Sequence, residues 1–237
     1  MNDQPTPERP GDSAVVSFSG GQDSTTCLYW ALARFKRVEA LSFDYGQRHR
    51  IELESARRIA ALAGVPHTVL PVSSLGALGG SSLTDADEDV TQELGRGALP
   101  KTFVPGRNIV FLTLAATFAW QRGIRDLVAG VCQTDYSGYP DCRRETMDSL
   151  ERTIALGLEH PVAIHTPLMW LTKAESVTLA AGHEGCLDAL ALSHTCYSGA
   201  FPPCLECAAC ELREKGFQEA GVRDPLRLRA ESTSDAG

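Results

Sequence analysis

Residues Ser13 to Ser24 read SAVVSFSGGQDS, a short β-branched run that ends in a glycine pair and then a polar residue cluster. The run SAVVSF predicts a buried strand, and the apolar positions Cys27, Leu28, Ala31, Leu32 and Phe35 predict a helix after the glycines. Strand, glycine turn and helix is the opening unit of a parallel α/β sheet. The turn then lies at the carboxyl edge of the strands, where such sheets bind ligands. Two glycines let the backbone turn tightly and approach a ligand. The N–H groups opening the helix and the hydroxyls of Ser19 and Ser24 offer donors to phosphate oxygens. Asp23 does not fit a pure anion cradle; its carboxylate must orient loop donors or help to hold a Mg²⁺ that bridges phosphates.

Further along, strands are expected at 38–43 and 68–72 and helices at 52–63 and 108–121. A strand at 126–131, a helix at 143–158, a strand at 162–165 and a helix at 172–181 come after them. Strands and helices alternate throughout, so the fold class expected is α/β, a doubly wound parallel sheet. Residues 73–100 are rich in Gly, Ser, Asp and Glu without a period and read as a long connection. The chain has 237 residues, with 22 basic and 30 acidic side chains, a formal net charge of −8. That balance disfavours a broad nucleic-acid-binding face, which needs clustered Lys and Arg. The longest strongly apolar stretch, 109–120, is too short to cross a bilayer, and no secretory leader is evident, so a cytoplasmic location is expected.

Cys196, Cys204, Cys207 and Cys210 follow the spacing C-x7-C-x2-C-x2-C. Four converging thiolates suit one structural tetrahedral Zn²⁺ with no open position. Pro202 and Pro203 stiffen the loop that returns Cys204 towards Cys196. Disulfides, free thiols and an Fe–S cluster are the alternatives. The remaining cysteines, Cys27, Cys132, Cys142 and Cys186, are scattered and carry no assigned chemistry.

The segment SGGQDS resembles the pyrophosphate loop (PP-loop) of the ATP pyrophosphatases, which cleave ATP between its α- and β-phosphates. Four further segments join it: FDYGQRH (43–49), FVPGRN (103–108), QTDYSGYPDCR (133–143) and TPLMWLTKAE (166–175). Together with the cysteines, over about residues 14–218, they look like the 7-cyano-7-deazaguanine synthase family of queuosine biosynthesis. The resemblance implies an adenine nucleotide alpha hydrolase-like sheet with a small C-terminal zinc-binding region. It divides the chain into a tail (1–12), a PP-loop domain (13–190), the zinc region (191–222) and a second tail (223–237). The implied reaction converts 7-carboxy-7-deazaguanine, ammonia and two ATP into the nitrile, with AMP and pyrophosphate released twice and Mg²⁺ accompanying ATP. A homodimer is implied as well; no nucleic-acid or membrane partner is expected, from the charge balance and the short apolar stretches.

By the same resemblance, Phe18, Ser19, Gly20, Gly21, Gln22, Asp23, Ser24 and Thr25 bind ATP together with Arg107 and Asn108. Asp23, Arg107 and Lys173 are the candidate catalytic residues, Arg107 as a phosphate clamp and Lys173 as a compact charge near the α-phosphate. Lys173 is one of only four lysines in the chain. Tyr136, Tyr139, Asp141 and Arg143 are the candidate substrate-binding residues: an aromatic face for a flat bicycle, Asp141 for its guanidine-like edge and Arg143 for its carboxylate. Tyr45, Gln47, Arg48 and His49 form a further polar cluster without individual roles. Competing readings are a PP-loop tRNA-modifying thiolase, which should carry a basic RNA-binding face, a partner-binding zinc module, and a glutamine amidotransferase, for which no glutaminase domain fits. Because no glutaminase domain fits in 237 residues, ammonia must arrive free or from a partner.

Overall fold

The computed structural model describes residues 11–47, 51–79, 81, 83, 99, 101–134 and 139–234. Among them, five strands form one parallel sheet: β1 (Ser13–Ser17), β2 (Arg37–Asp44), β3 (His67–Pro71), β4 (Asp126–Ala129) and β5 (Ala163–His165). Their order is β3-β2-β1-β4-β5. The chain runs outward from β1 in one direction and then crosses back to start again at β4, with Val15 paired to Glu39 on one side and to Leu127 on the other. That reversal opens a crevice beyond the carboxyl ends of β1 and β4.

Side-chain alternation divides the core between the two faces of the sheet. Ala14 and Val16 of β1 face one cluster with Leu28, Ile59, Val177, Leu190 and Phe217. These come from α1 (Gln22–Leu32), α2 (Ile51–Leu62), α6 (Lys173–Ala181), α7 (Cys186–Leu190) and α8 (Ala208–Glu219). Val15 faces the other cluster, with Leu112 and Ala115 from α4 (Arg107–Trp120), Met147 and Ile154 from α5 (Arg144–Leu158), and Leu75 from the short α3 (Ser73–Ala77). The expected elements are therefore present within a residue or two at their ends. The expected connection 73–100 opens with α3, and most of its remainder lies outside the described residues.

The C-terminal segment differs from expectation. Residues 225–234 of the expected tail form α9 (Pro225–Ser234), whose Leu226 and Ala230, one helical turn apart, are buried. Asp224 starts this helix by accepting from the Leu226 N–H at 2.9 Å, and Pro225 suits the first helical position. The same carboxylate takes two hydrogen bonds from Arg213 of α8, at 2.7 and 2.8 Å, and Arg213 also donates to the Ser193 hydroxyl and the Leu190 carbonyl. Arg213 is only 3 % exposed, so its charge is satisfied inside the protein by partners from three places in the chain. Of the expected N-terminal tail, residues 1–10 lie outside the described residues; Gly11 N donates to Asp126 and the Asp12 carbonyl receives the N–H groups of Lys36 and Arg37. No helix among the described residues is long and apolar enough to cross a membrane.

Candidate active site

Gly20 has φ +81°, a conformation natural to glycine, and a side chain there would run into the main chain of α2, 2.6 Å from Ala56 N and 2.7 Å from the Glu52 carbonyl. The loop after β1 is thus pressed against α2. Ser19 and Ser24 hydroxyls lie 3.0 Å apart, Ser24 Oγ accepts from the Ser19 N–H, and Ser19 Oγ accepts from the Gly21 N–H, closing the loop on itself. Gly21 caps α1 without any side chain, which leaves the first-turn N–H groups available to an anion at the positive end of the helix. Gly130, just past β4, lies against the main chain of Asp23 and Ser24 and lets that turn sit over the crevice.

Asp23 and Lys173 meet across the crevice, with Nζ 3.0 and 2.9 Å from the two carboxylate oxygens. This neutralises the carboxylate that the sequence places awkwardly beside an anion loop. Local structure holds the lysine there: a Thr172–Glu175 capping box fixes the start of α6, and the lysine stem runs over Gly216 of α8, where an added methyl group would lie 2.5 Å from its Cγ.

A cavity of about 300 Å³ lies above the loop. Arg107 enters it from the start of α4, after Gly106 at φ +70°. Burial works against its charge, but the neighbouring Tyr45, Tyr139 and Asp141 outweigh burial and raise its pKa, so it stays a guanidinium at any working pH. Tyr45 is hydrogen-bonded to it and is itself pushed up by burial. Phe111 of α4 stacks on Phe43, with ring centroids 4.2 Å apart, and presents an aromatic wall to the cavity. Tyr139 also lines the cavity, its hydroxyl 2.6 Å from Thr102 Oγ1.

Several candidate residues stand elsewhere. Asp141 is buried and caps α4, accepting from the Asn108 N–H at 3.0 Å, and does not line the cavity. A long-range helix cap has taken the carboxylate that the sequence offers to substrate. Arg143 precedes α5 at the exposed surface, outside the cavity lining. Thr25 is fully buried beneath the loop, off the cavity, whereas Phe18, Ser19, Gly21, Gln22, Asp23, Ser24, Arg107 and Asn108 line it. Gln47 lines it too and ties its own loop by accepting from Tyr45 N and donating to Phe43 O. Tyr136, Arg48 and His49 lie outside the described residues.

The cavity residues that were not legible beforehand include Glu52, Phe111, His194 and Tyr197. Glu52 opens α2, and burial, only partly opposed by Arg107, raises its pKa to about 7. A carboxyl one helical turn beyond the polar segment 43–49 is the signal that would have found it.

The Sγ atoms of Cys196, Cys204, Cys207 and Cys210 all lie within 4.8 Å of one another. A tetrahedral Zn²⁺ with bonds of about 2.3 Å requires sulfur separations of about 3.8 Å, so the donor set fits that ion. The Cys204 and Tyr197 N–H groups point at Cys196 and Cys207 sulfurs, at 3.4 Å each, as thiolates favour. Leu205, at φ +65°, turns the chain between Cys204 and Cys207.

The queuosine biosynthesis protein QueC model matches residues 13–221. A protein of Laribacter hongkongensis named 7-cyano-7-deazaguanine synthase is 61% identical over 221 residues, covering 92% of this chain and 95% of its own. One of the same name from Chromobacterium violaceum is 61% identical over 227 residues, covering 93% and 95%. In fold, the chain is similar to an NMN synthetase from Francisella tularensis, with a TM-score of 0.51 at 13% identity over 93% of this chain and 83% of that one. A glycine loop at the switch point, an ion-paired lysine across from it, four clustered cysteines and this extent of identity together place the chain, as an enzyme, in the queuosine biosynthesis QueC family.

Proposed function

We propose that this protein converts 7-carboxy-7-deazaguanine and ammonia to 7-cyano-7-deazaguanine, consuming two ATP and releasing AMP and pyrophosphate from each. The observation that carries the reading is the meeting of an uncapped helix start and two cations, Lys173 and Arg107, in one cavity. The amide Nε2 of Gln22 adds to it. It is buried in the wall of that cavity without a hydrogen-bond partner among the described residues, a donor left for a ligand.

A carboxylate is a poor electrophile until one oxygen becomes a good leaving group. In the first half-reaction a substrate carboxylate oxygen attacks the α-phosphorus and pyrophosphate departs. The loop N–H groups and the Ser19 and Ser24 hydroxyls receive the charge that accumulates on the departing phosphates, where fixed donors lower the barrier most. Lys173, held by Asp23, and Arg107, held by Tyr45, balance the charge on either side. Ammonia then displaces AMP, forming the C–N bond and losing one proton to give the amide. In the second half-reaction the amide oxygen attacks another α-phosphorus; loss of AMP and of the remaining N–H protons leaves the nitrile. One cavity serves both halves, since each is attack of a substrate oxygen on the α-phosphorus of an ATP. Phe111 and Tyr139, both in the cavity wall, supply aromatic surface for a flat bicycle.

Mg²⁺ fits as an ion carried on the phosphates, because both oxygens of the loop carboxylate Asp23 are engaged by Lys173. When bound it neutralises phosphate charge. Zinc in the four-thiolate site and a homodimeric assembly belong to the same reading. The test is mass spectrometry of purified protein incubated with ATP, ammonium and the carboxy-deazaguanine. The expected product is lighter than the amide by one water, with AMP formed; ADP as the released nucleotide would overturn the proposal.

A further inference from the structure

The cysteine cluster and the glycine loop share one strap of chain, residues 193–197. At its start the His194 N–H donates to the Gly20 carbonyl at 3.0 Å, and the Gly21 Cα packs against the His194 carbonyl, which an added methyl group would approach to 3.4 Å. Two residues later, about 7 Å of extended chain, comes the first cysteine of the cluster. The His194 ring, only 4 % exposed, braces this span through Nε2, 3.0 Å from the Cys196 carbonyl. The next residue faces both ways. Tyr197 N donates to Cys207 Sγ at 3.4 Å, while its hydroxyl is hydrogen-bonded to that of Tyr139, which in turn meets Thr102. His194, Thr195 and Tyr197 all line the cavity above the loop.

We propose that this strap makes metal retention at the cysteine cluster and phosphate binding at the glycine loop mutually reinforcing, with His194 and Tyr197 as positioning residues. The inference rests on the reading of the loop as a pyrophosphate site. Its physical basis is contiguity. With the four thiolates closed on an ion, Cys196 and Cys207 are fixed, and with them the peptide groups that carry the His194 N–H to Gly20 and the Tyr197 side chain to Tyr139. Without the ion those peptides gain freedom, and a phosphate ligand must then order the strap as well as itself. Linkage requires the converse: a ligand that orders Gly20 and Gly21 tightens the cluster's hold on its metal by the same factor.

The experiment uses zinc-loaded full-length protein, with Mg²⁺-pyrophosphate as the probe. Calorimetry first measures binding of the probe; zinc affinity is then read by equilibrium competition with a coloured chelator, with and without the saturating probe. A Lys173→Met protein in the same buffers corrects for zinc sequestered by pyrophosphate itself. The expected result is zinc affinity raised by about fivefold or more when the probe is bound, in the range typical of coupled sites. In His194→Ala, which keeps the main-chain bond but removes the ring brace, the ratio falls towards one while both ligands still bind. Probe binding with no change in zinc affinity would overturn the coupling and leave the loop assignment standing. Failure of the probe to bind would overturn the loop assignment, and the coupling with it. Tyr197→Phe should keep its zinc and its main-chain bond to Cys207 yet raise KM for the carboxy-deazaguanine more than it lowers kcat; an unchanged KM would remove Tyr197 from the proposal.

Discussion

Gly20→Ala tests the close approach that seats the glycine loop against α2. The added methyl group would stand 2.6 Å from Ala56 N and 2.7 Å from the Glu52 carbonyl, where ordinary contacts begin at 3.4 Å, so loop and helix α2 must part by about 0.8 Å. Both obstacles are main chain, and no change of rotamer relieves them. The cost is roughly 1–2 kcal/mol for an alanine at φ +81° and a further ~1–3 kcal/mol for the forced displacement. For a chain of this size each kcal/mol lowers the melting temperature by about 2–4 °C. If the loop receives the leaving pyrophosphate as proposed, a shift of nearly 1 Å in its donors should lower kcat by up to about 100-fold. Gly64→Ala is the control: it has φ +66° with nothing within 4 Å of the added methyl, so it bears the strain alone and keeps full turnover. Thermal melts and initial rates of pyrophosphate release on the two variants separate the contributions. Turnover of Gly20→Ala within about twofold of wild type would show that the loop is not held in register by α2, and the proposed role of that contact would fail.

Asp224→Ala leaves Arg213 charged and buried, at a cost of about 3–5 kcal/mol. Its melting temperature should fall by roughly 10 °C, and a shift under about 3 °C would show that α9 is not anchored as described. Glu52 has a folded pKa of about 7 against an ordinary 4.5, so the folded state holds its proton more tightly than the unfolded chain does. Stability from this group is therefore full below the ordinary value and is lost as pH rises through about 7. Ligand-free Glu52→Gln should gain stability over wild type at pH 8 and less at pH 5, as followed by thermal melts; a variant no more stable than wild type at pH 8 would refute the assignment.

The sheet was legible because its strands are short, β-branched and separated by glycine-terminated helices, and the loop because two glycines follow the first of them. The cysteine spacing was equally direct. The features that escaped notice depend on pairings distant in the chain. Asp23 and Lys173 lie 150 residues apart, and no local pattern announces their contact. Asp141 has the residue type of a substrate ligand, but its partner is the N–H of Asn108, 33 residues earlier. Helices α8 and α9 carry few apolar residues, and a buried arginine counts as polar in any periodicity, so their helical signal is weak until the Arg213–Asp224 pair is seen. Tyr197 was masked by the cysteines around it, whose own chemistry accounts for that stretch without reference to the cavity.

Helix α8 seats Lys173 against Gly216, and its first residues complete the cysteine knuckle. A truncated version ending at residue 190 would keep all five strands and the whole glycine loop, and a parsimonious engineer would choose it as the minimal catalytic core. It would lose the floor beneath the lysine and the peptide that pins Gly20. The smallest working unit of this fold therefore extends through its last helices.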